Sequence, residues 1–256
     1  MGLIYGFLVR EKYISNVTTI VVEEVRHNLF IQGYLSSPLL QAITNQTGVI
    51  VNNIIKQELG LSSDFDFNFF LPKEKQRLTL YGLNSADIGA STSLIYPVVD
   101  SFFEKNELNL KLKKVDLSSE LNLFGEHQDE LVIKVNDPDE ELSSLNQILK
   151  DNMHQANLNY RLTHELDLYN IAKSEQFDYV PHIGLGRIRT TSIKQYIKDI
   201  TQTTLVLDRI NQRILQEVLV MILDQFTKHD TKLIFDSLCI TDLQLKKSVK
   251  AYSLNT

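Results

Sequence analysis

The sequence predicts an α+β fold built on mostly antiparallel strands. Period-two stretches alternate with stretches at helical spacing, in the order strands, helix, strand, helix, then hairpin, helix, strand, helix, strand. That order forms two similar halves, each with a strand carrying a polar residue two positions before a small one, although no exact tandem repeat is present. A doubly wound parallel sheet would read as a regular β-α-β alternation, which this chain does not show.

Leu3 to Val9 is a short apolar strand candidate, and Thr18 to Val25 is β-branched, a strand with a helix as the alternative. Asn28 to Leu35 alternates as a strand. Ser37-Pro38 then opens a helix, Ser as N-cap and Pro at the first helical position. Leu39, Leu40, Ile43, Val51, Ile54, Ile55 and Leu59 follow at helical spacing, and Gly60 stands where a C-terminal cap belongs. Phe65, Phe67, Phe69 and Phe70 form an aromatic patch that fits a core better than a base-stacking surface.

Arg77 to Leu83 alternates as a strand, Ser93 to Phe103 is helical, and Leu108 to Leu117 alternates as a half-buried strand. Leu121 to Phe124 and Leu131 to Val135 flank a polar turn as a hairpin. Asp137-Pro138-Asp139 caps a helix carrying Leu142, Leu145, Ile148 and Leu149. Tyr179 to Ile188 is the next strand region, followed by helices over Ile193 to Ile200 and Asp208 to Thr227. The latter has Ile210, Ile214, Val218, Ile222 and Phe226 at four-residue spacing. Leu233 to Leu243 closes the chain as a strand or strand pair.

Composition narrows the function. With 256 residues, 43% of them hydrophobic, the chain can bury a sizeable core, and 10 Gly and 5 Pro argue against disorder. A net charge of -6 argues against a general sponge for long nucleic acid, though not against a local basic pocket. The single cysteine, Cys239, can form no intramolecular disulfide, and its apolar neighbours Leu238 and Ile240 mark it as a small core residue. No cofactor motif or metal cluster is visible: His27, His127, His154, His164 and His229 are scattered, and His164-Glu165 lacks a second histidine four residues on. No apolar run is long enough for a membrane span, and Met1 to Val9 lacks the basic leader of a signal peptide, so the expected compartment is the cytoplasm.

Period two puts Arg77 and Thr79 on one strand face, and likewise His182 and Gly184. A cation or imidazole beside a hydroxyl is a natural grip for phosphate. Gly184-x-Gly186 lies inside a strand pattern and lacks the spacing of a phosphate loop.

Pro181-His182-Ile183-Gly184-Leu185-Gly186-Arg187-Ile188 resembles the second signature of the 2H phosphoesterases, Pro-His-Ile-Thr-Leu-(Gly)-Arg. Arg77-Leu78-Thr79-Leu80 occupies the place of the first, His-x-Thr-Leu. The resemblance implies a two-lobed fold with antiparallel sheets facing a central cleft and helices outside. It covers 28–256 with an added helix near 208–227, behind an N-terminal extension or first strands at 1–27. It also implies metal-independent work on a 2′,3′-cyclic or 2′,5′-linked phosphodiester, one histidine as base and the other as acid.

Two positions depart from the pattern. Arg77 stands where the first histidine belongs; guanidinium binds phosphate but cannot act as a base. Gly184 replaces the second hydroxyl. The expected site is then His182 as the catalytic group, Arg77, Thr79 and Arg187 on phosphate, and Tyr81 and Gly184 lining the cleft. A strand histidine satisfied in the core and a solvated Arg77 are the plain alternatives, and Arg187 and Arg189 either line the cleft or face water.

Three functions follow: a binder of a nucleotide or RNA-end phosphodiester with weak or lost catalysis, an active phosphodiesterase using His182 with Arg77 stabilising charge, and an interaction module with a vestigial cleft. In the third, the 208–227 helix would contact a protein partner or a second copy.

Overall fold

The structure is a computed structural model describing residues 10–14, 17–21, 25–62, 76–124, 130–176, 178–188, 193, 203–242 and 247–254. The expected strand at Leu3 to Val9, the phenylalanine patch and most of the helix from Ile193 lie outside the described residues, as does Arg189.

A hairpin of β1 (Arg10–Ile14) and β2 (Val17–Val21) precedes the main sheet. β3 (Arg26–Ser36) leads into α1 (Pro38–Leu59), whose ends are those read from the sequence. The Ser37 side chain accepts from Leu39 N, and Gly60 takes the left-handed conformation at φ 63°. β4 (Arg77–Asp87) ends on Asp87, whose carboxylate accepts from the N–H groups of Gly89 and Ala90 and so caps the helix that follows. That helix runs through α2 (Ile88–Ala90), a π-helical turn (Ser91–Ile95) and α3 (Tyr96–Leu112). The wide turn lies just before Pro97, which has no N–H to donate and whose ring crowds the preceding turn.

Here one expectation fails. Leu108 to Leu112 is helix, and the strand, β5 (Lys114–Phe124), begins only after it. The alternation of leucine with asparagine and lysine imitated a strand. The helical set Val99, Phe102 and Leu110 buries completely instead, leaving Leu108 exposed. β5 pairs with β6 (Glu130–Asn136) in the expected hairpin. α4 (Glu141–His164) starts where the Asp137 carboxylate accepts from Leu142 N and Ser143 N. Leu142, Leu145 and Leu149 bury as expected, whereas Ile148 faces outward. α5 (Ile171–Ser174), β7 (His182–Arg187), α6 (Thr203–Phe226), β8 (Lys232–Asp242) and β9 (Lys247–Ser253) complete the described elements.

The sheet order is β3-β4-β7-β6-β5-β8-β9, and β3 also pairs with β8, so six strands close a ring with β9 outside it. All these pairings are antiparallel. The ring has two lobes. β3, β4, β8 and β9 pair over long registers, as do β5, β6 and β7. The seams between the lobes are short: Leu78 opposite Ile183 on one side, and Lys114 to Asp116 against Lys232 to Ile234 on the other. α6 lies against α1 with Ile210, Ile214, Val218 and Ile222 fully buried, and Arg209 and Arg213 both pair with Glu58. The stripe that could have served a partner is used within the chain. No helix among the described residues is long and apolar enough to cross a membrane.

Candidate phosphate-binding site

The β4–β7 seam brings the two sequence motifs together. One step from the Leu78–Ile183 pair, the antiparallel register sets Thr79 opposite His182 and Arg77 opposite Gly184. The row continues through both lobes, because Gln32 lies opposite Thr79 on β3 and Lys134 opposite His182 on β6. Leu78 and Ile183 point the other way, into the core.

His182 is partly exposed, and its Nδ1 lies 2.7 Å from the carbonyl of Val180. A carbonyl only accepts, so Nδ1 carries the proton and the neutral ring has its lone pair on Nε2. Lys134, its neighbour across the strands, pairs with Glu120 at 2.5 Å.

Arg77 sits in neutral company. Nη1 donates to Gln32 Oε1 at 3.1 Å and to Thr241 Oγ1 at 2.8 Å, and Nη2 donates to the Tyr34 hydroxyl. The guanidinium carbon lies 4.5 Å from the centre of the Tyr34 ring. Nε is buried without a hydrogen-bond partner among the described residues, and none of the described partners is a carboxylate.

A cavity of about 380 Å³ opens beside the seam, with Thr79, Tyr81 and His182 in its wall. Asn146 and Lys150 of α4 face it, as does Glu175 just past α5. Asn146 Nδ2 donates to the carbonyl of Leu80 at 2.5 Å, where a bulge in the β3–β4 register releases that residue from the ladder. Lys150 Nζ lies 3.2 Å from Glu175, which also meets His154 and accepts from the Tyr81 hydroxyl at 3.2 Å. Burial, then the contact with Tyr169, pushes the Tyr81 phenol far above its usual range, and burial lifts Tyr169 to about 12. Neither is an acid near neutral pH.

The structure thus groups His182, Thr79 and Tyr81 around one cavity, with Arg77 and Gly184 beside them on the strand face. The Tyr81 hydroxyl is turned to Tyr169 and Glu175. Arg187 stands at the far end of β7, largely exposed and 3.4 Å from Glu130. Sequence reading missed Gln32, Tyr34, Thr241, Lys134, Lys150 and Glu175. Gln32 and Tyr34 share a strand face by period two, a signal that was present; the others reach the site only through packing. Cys239 is buried, as expected, and burial raises its thiol above the ordinary range. Among the described residues no group of three His, Cys, Asp or Glu could hold a metal.

No protein-family model and no curated protein matches this sequence. Among solved structures, Usb1 of Kluyveromyces marxianus with uridine monophosphate aligns over 90% of this chain and 98% of that chain, with a TM-score of 0.54 and 12% identity. A second structure of Kluyveromyces marxianus Usb1 aligns over the same shares with a TM-score of 0.53 and 13% identity. At that identity the likeness is one of architecture. The chain has the α+β fold of Usb1, two antiparallel lobes closed into a ring with helices outside.

Proposed function

We propose that this chain is a 2H phosphoesterase-like protein that binds the phosphate of a nucleotide or an RNA end, with catalysis weak or lost. One observation carries the reading: β4 and β7 pair antiparallel at Leu78 and Ile183, which runs Thr79 toward His182 and Arg77 toward Gly184 where the lobes meet. An imidazole, a hydroxyl and a guanidinium with no acidic partner among the described residues make an anion grip. The fold shared with a protein solved with uridine monophosphate supports a nucleotide as ligand. Weak catalysis follows from the residue types. The grip has one imidazole, and loss of an acid or base costs about 10²–10⁴ in rate.

A second reading, a working metal-independent phosphodiesterase, draws support from the His182 tautomer. The Val180 carbonyl at Nδ1 fixes the orientation of the ring, and Arg77 would offset developing negative charge.

A metal-free assay separates them. Uridine monophosphate, 2′,3′-cyclic nucleotides and 2′,5′-linked oligoadenylates are offered to the wild type and to His182→Ala, and binding and product are followed together. Binding without product, retained in the variant, is the expected result. Product that vanishes in the variant establishes the second reading, and no binding to any of these ligands overturns both.

A further inference from the structure

We propose that Gln32 is a positioning residue that sets the direction of the hydrogen bonds at the anion grip, holding Arg77 and turning the Thr79 proton outward. The inference rests on the reading of Arg77 and Thr79 as phosphate ligands. Its carboxamide touches both: Oε1 lies 3.1 Å from Arg77 Nη1, and Nε2 lies 2.9 Å from Thr79 Oγ1.

A guanidinium has only N–H donors, so the oxygen of the amide must face Arg77. The NH₂ end must therefore face Thr79, whose oxygen accepts. The single proton of Thr79 is then directed to another acceptor. An ionised phosphate offers acceptors only, so this is the polarity that recognises it.

The same rule propagates around Arg77. Thr241 Oγ1 accepts from Nη1, which leaves its proton for Cys239 Sγ at 3.5 Å. The Tyr34 hydroxyl accepts from Nη2 and lies 3.1 Å from Ser248 Oγ. Among the described residues Gln32 connects this network to the Thr79 hydroxyl. It is held there by its place on β3, between β4 and β8, with Thr79 and Cys239 opposite it and only 9% of its surface exposed.

The amide is distinguishable from a mere spacer. In Gln32→Glu both carboxylate oxygens accept. The Arg77 contact survives, but the Thr79 proton turns inward and the arginine charge is neutralised. In Gln32→Met the length is kept and both hydrogen bonds disappear.

Affinity for uridine monophosphate and for inorganic phosphate, measured by calorimetry with circular dichroism to confirm folding, tests the assignment. Gln32→Met should bind about 10-fold more weakly than wild type. Gln32→Glu should lose about 100-fold or more while melting no lower than Gln32→Met. A packing role gives the reverse order of affinities, and that order, or equal affinities, overturns the assignment. Arg77→Met is the reference. If it binds like wild type, or if wild type binds neither probe, the underlying reading of the grip falls. If it weakens while both Gln32 variants bind normally, only the role of Gln32 falls.

Discussion

Thr79 and His182 line the same cavity beside the seam where β4 meets β7 at a single register pair, Leu78 with Ile183. The two strands contribute little pairing to each other, and the cavity of about 380 Å³ lies beside that short seam. A hydroxyl whose oxygen accepts from Gln32 keeps its proton, the one group it can offer to an anion that only accepts.

Thr79→Val keeps the shape of the side chain and removes the donor. Affinity for uridine monophosphate should fall about 10- to 100-fold, the worth of a hydrogen bond to a charged group. Unchanged calorimetric affinity would place the hydroxyl away from the anion.

Restoring the pattern from which the chain departs should restore chemistry. Among the described residues the glycines with positive φ are Gly60 and Gly186, not Gly184, so the backbone at Gly184 accepts a side chain. The double variant Arg77→His, Gly184→Ser should raise metal-free turnover of a 2′,3′-cyclic nucleotide by about 10²–10⁴ over wild type. Turnover no higher than wild type in a folded double variant would count against Arg77 occupying the place of a catalytic histidine.

The Asp137 carboxylate at the start of α4 predicts an acid-sensitive contribution to stability. Burial raises its pKa, but the N–H groups of Leu142 and Ser143 and the Ser143 hydroxyl outweigh that, and the net value lies below the ordinary 3.8. A carboxyl held low in the fold stabilises above its unfolded pKa, and the benefit disappears as pH falls through the folded value. Asp137→Ala should cost about 1 kcal/mol at pH 7. The difference from wild type should shrink as denaturant melts are taken from pH 5 down toward pH 2; a gap constant with pH would rule out the capping charge.

Gly33 marks a close approach of β3 to β8. A Cβ there would lie 2.0 Å from the ring of Phe235. Gly33→Ala should destabilise by about 1–3 kcal/mol through overpacking, and Phe235→Leu in the same chain should recover part of it. Equal stability of Gly33→Ala and wild type in urea melts would show that the ring moves aside freely.

Much of this molecule is local, and local order is what a sequence records. The Ser37 and Gly60 caps bound α1, Ile210, Ile214, Val218 and Ile222 of α6 are buried as their period requires with Phe226 half-buried at its end, and strand alternation puts Arg77 with Thr79 and His182 with Gly184. Each depends on residues a few positions apart, where backbone geometry alone decides who shares a face. The same reasoning misread Leu108 to Leu112, because a short run of alternating leucines satisfies both periods and only the buried partners of Phe102 and Leu110 decide between them.

The site itself belongs to the tertiary structure. β4 and β7 are separated by three helices and a hairpin in the chain, and become neighbours only because six strands must close a ring to satisfy their edges. That closure sets Gln32, Tyr34 and Thr241 around Arg77, and α4 brings Asn146 and Lys150 to the cavity. By itself the sequence determined the two motifs and the faces on which they lie. The ring determined that they meet, because burying the apolar side of each lobe leaves their polar faces only one another to confront.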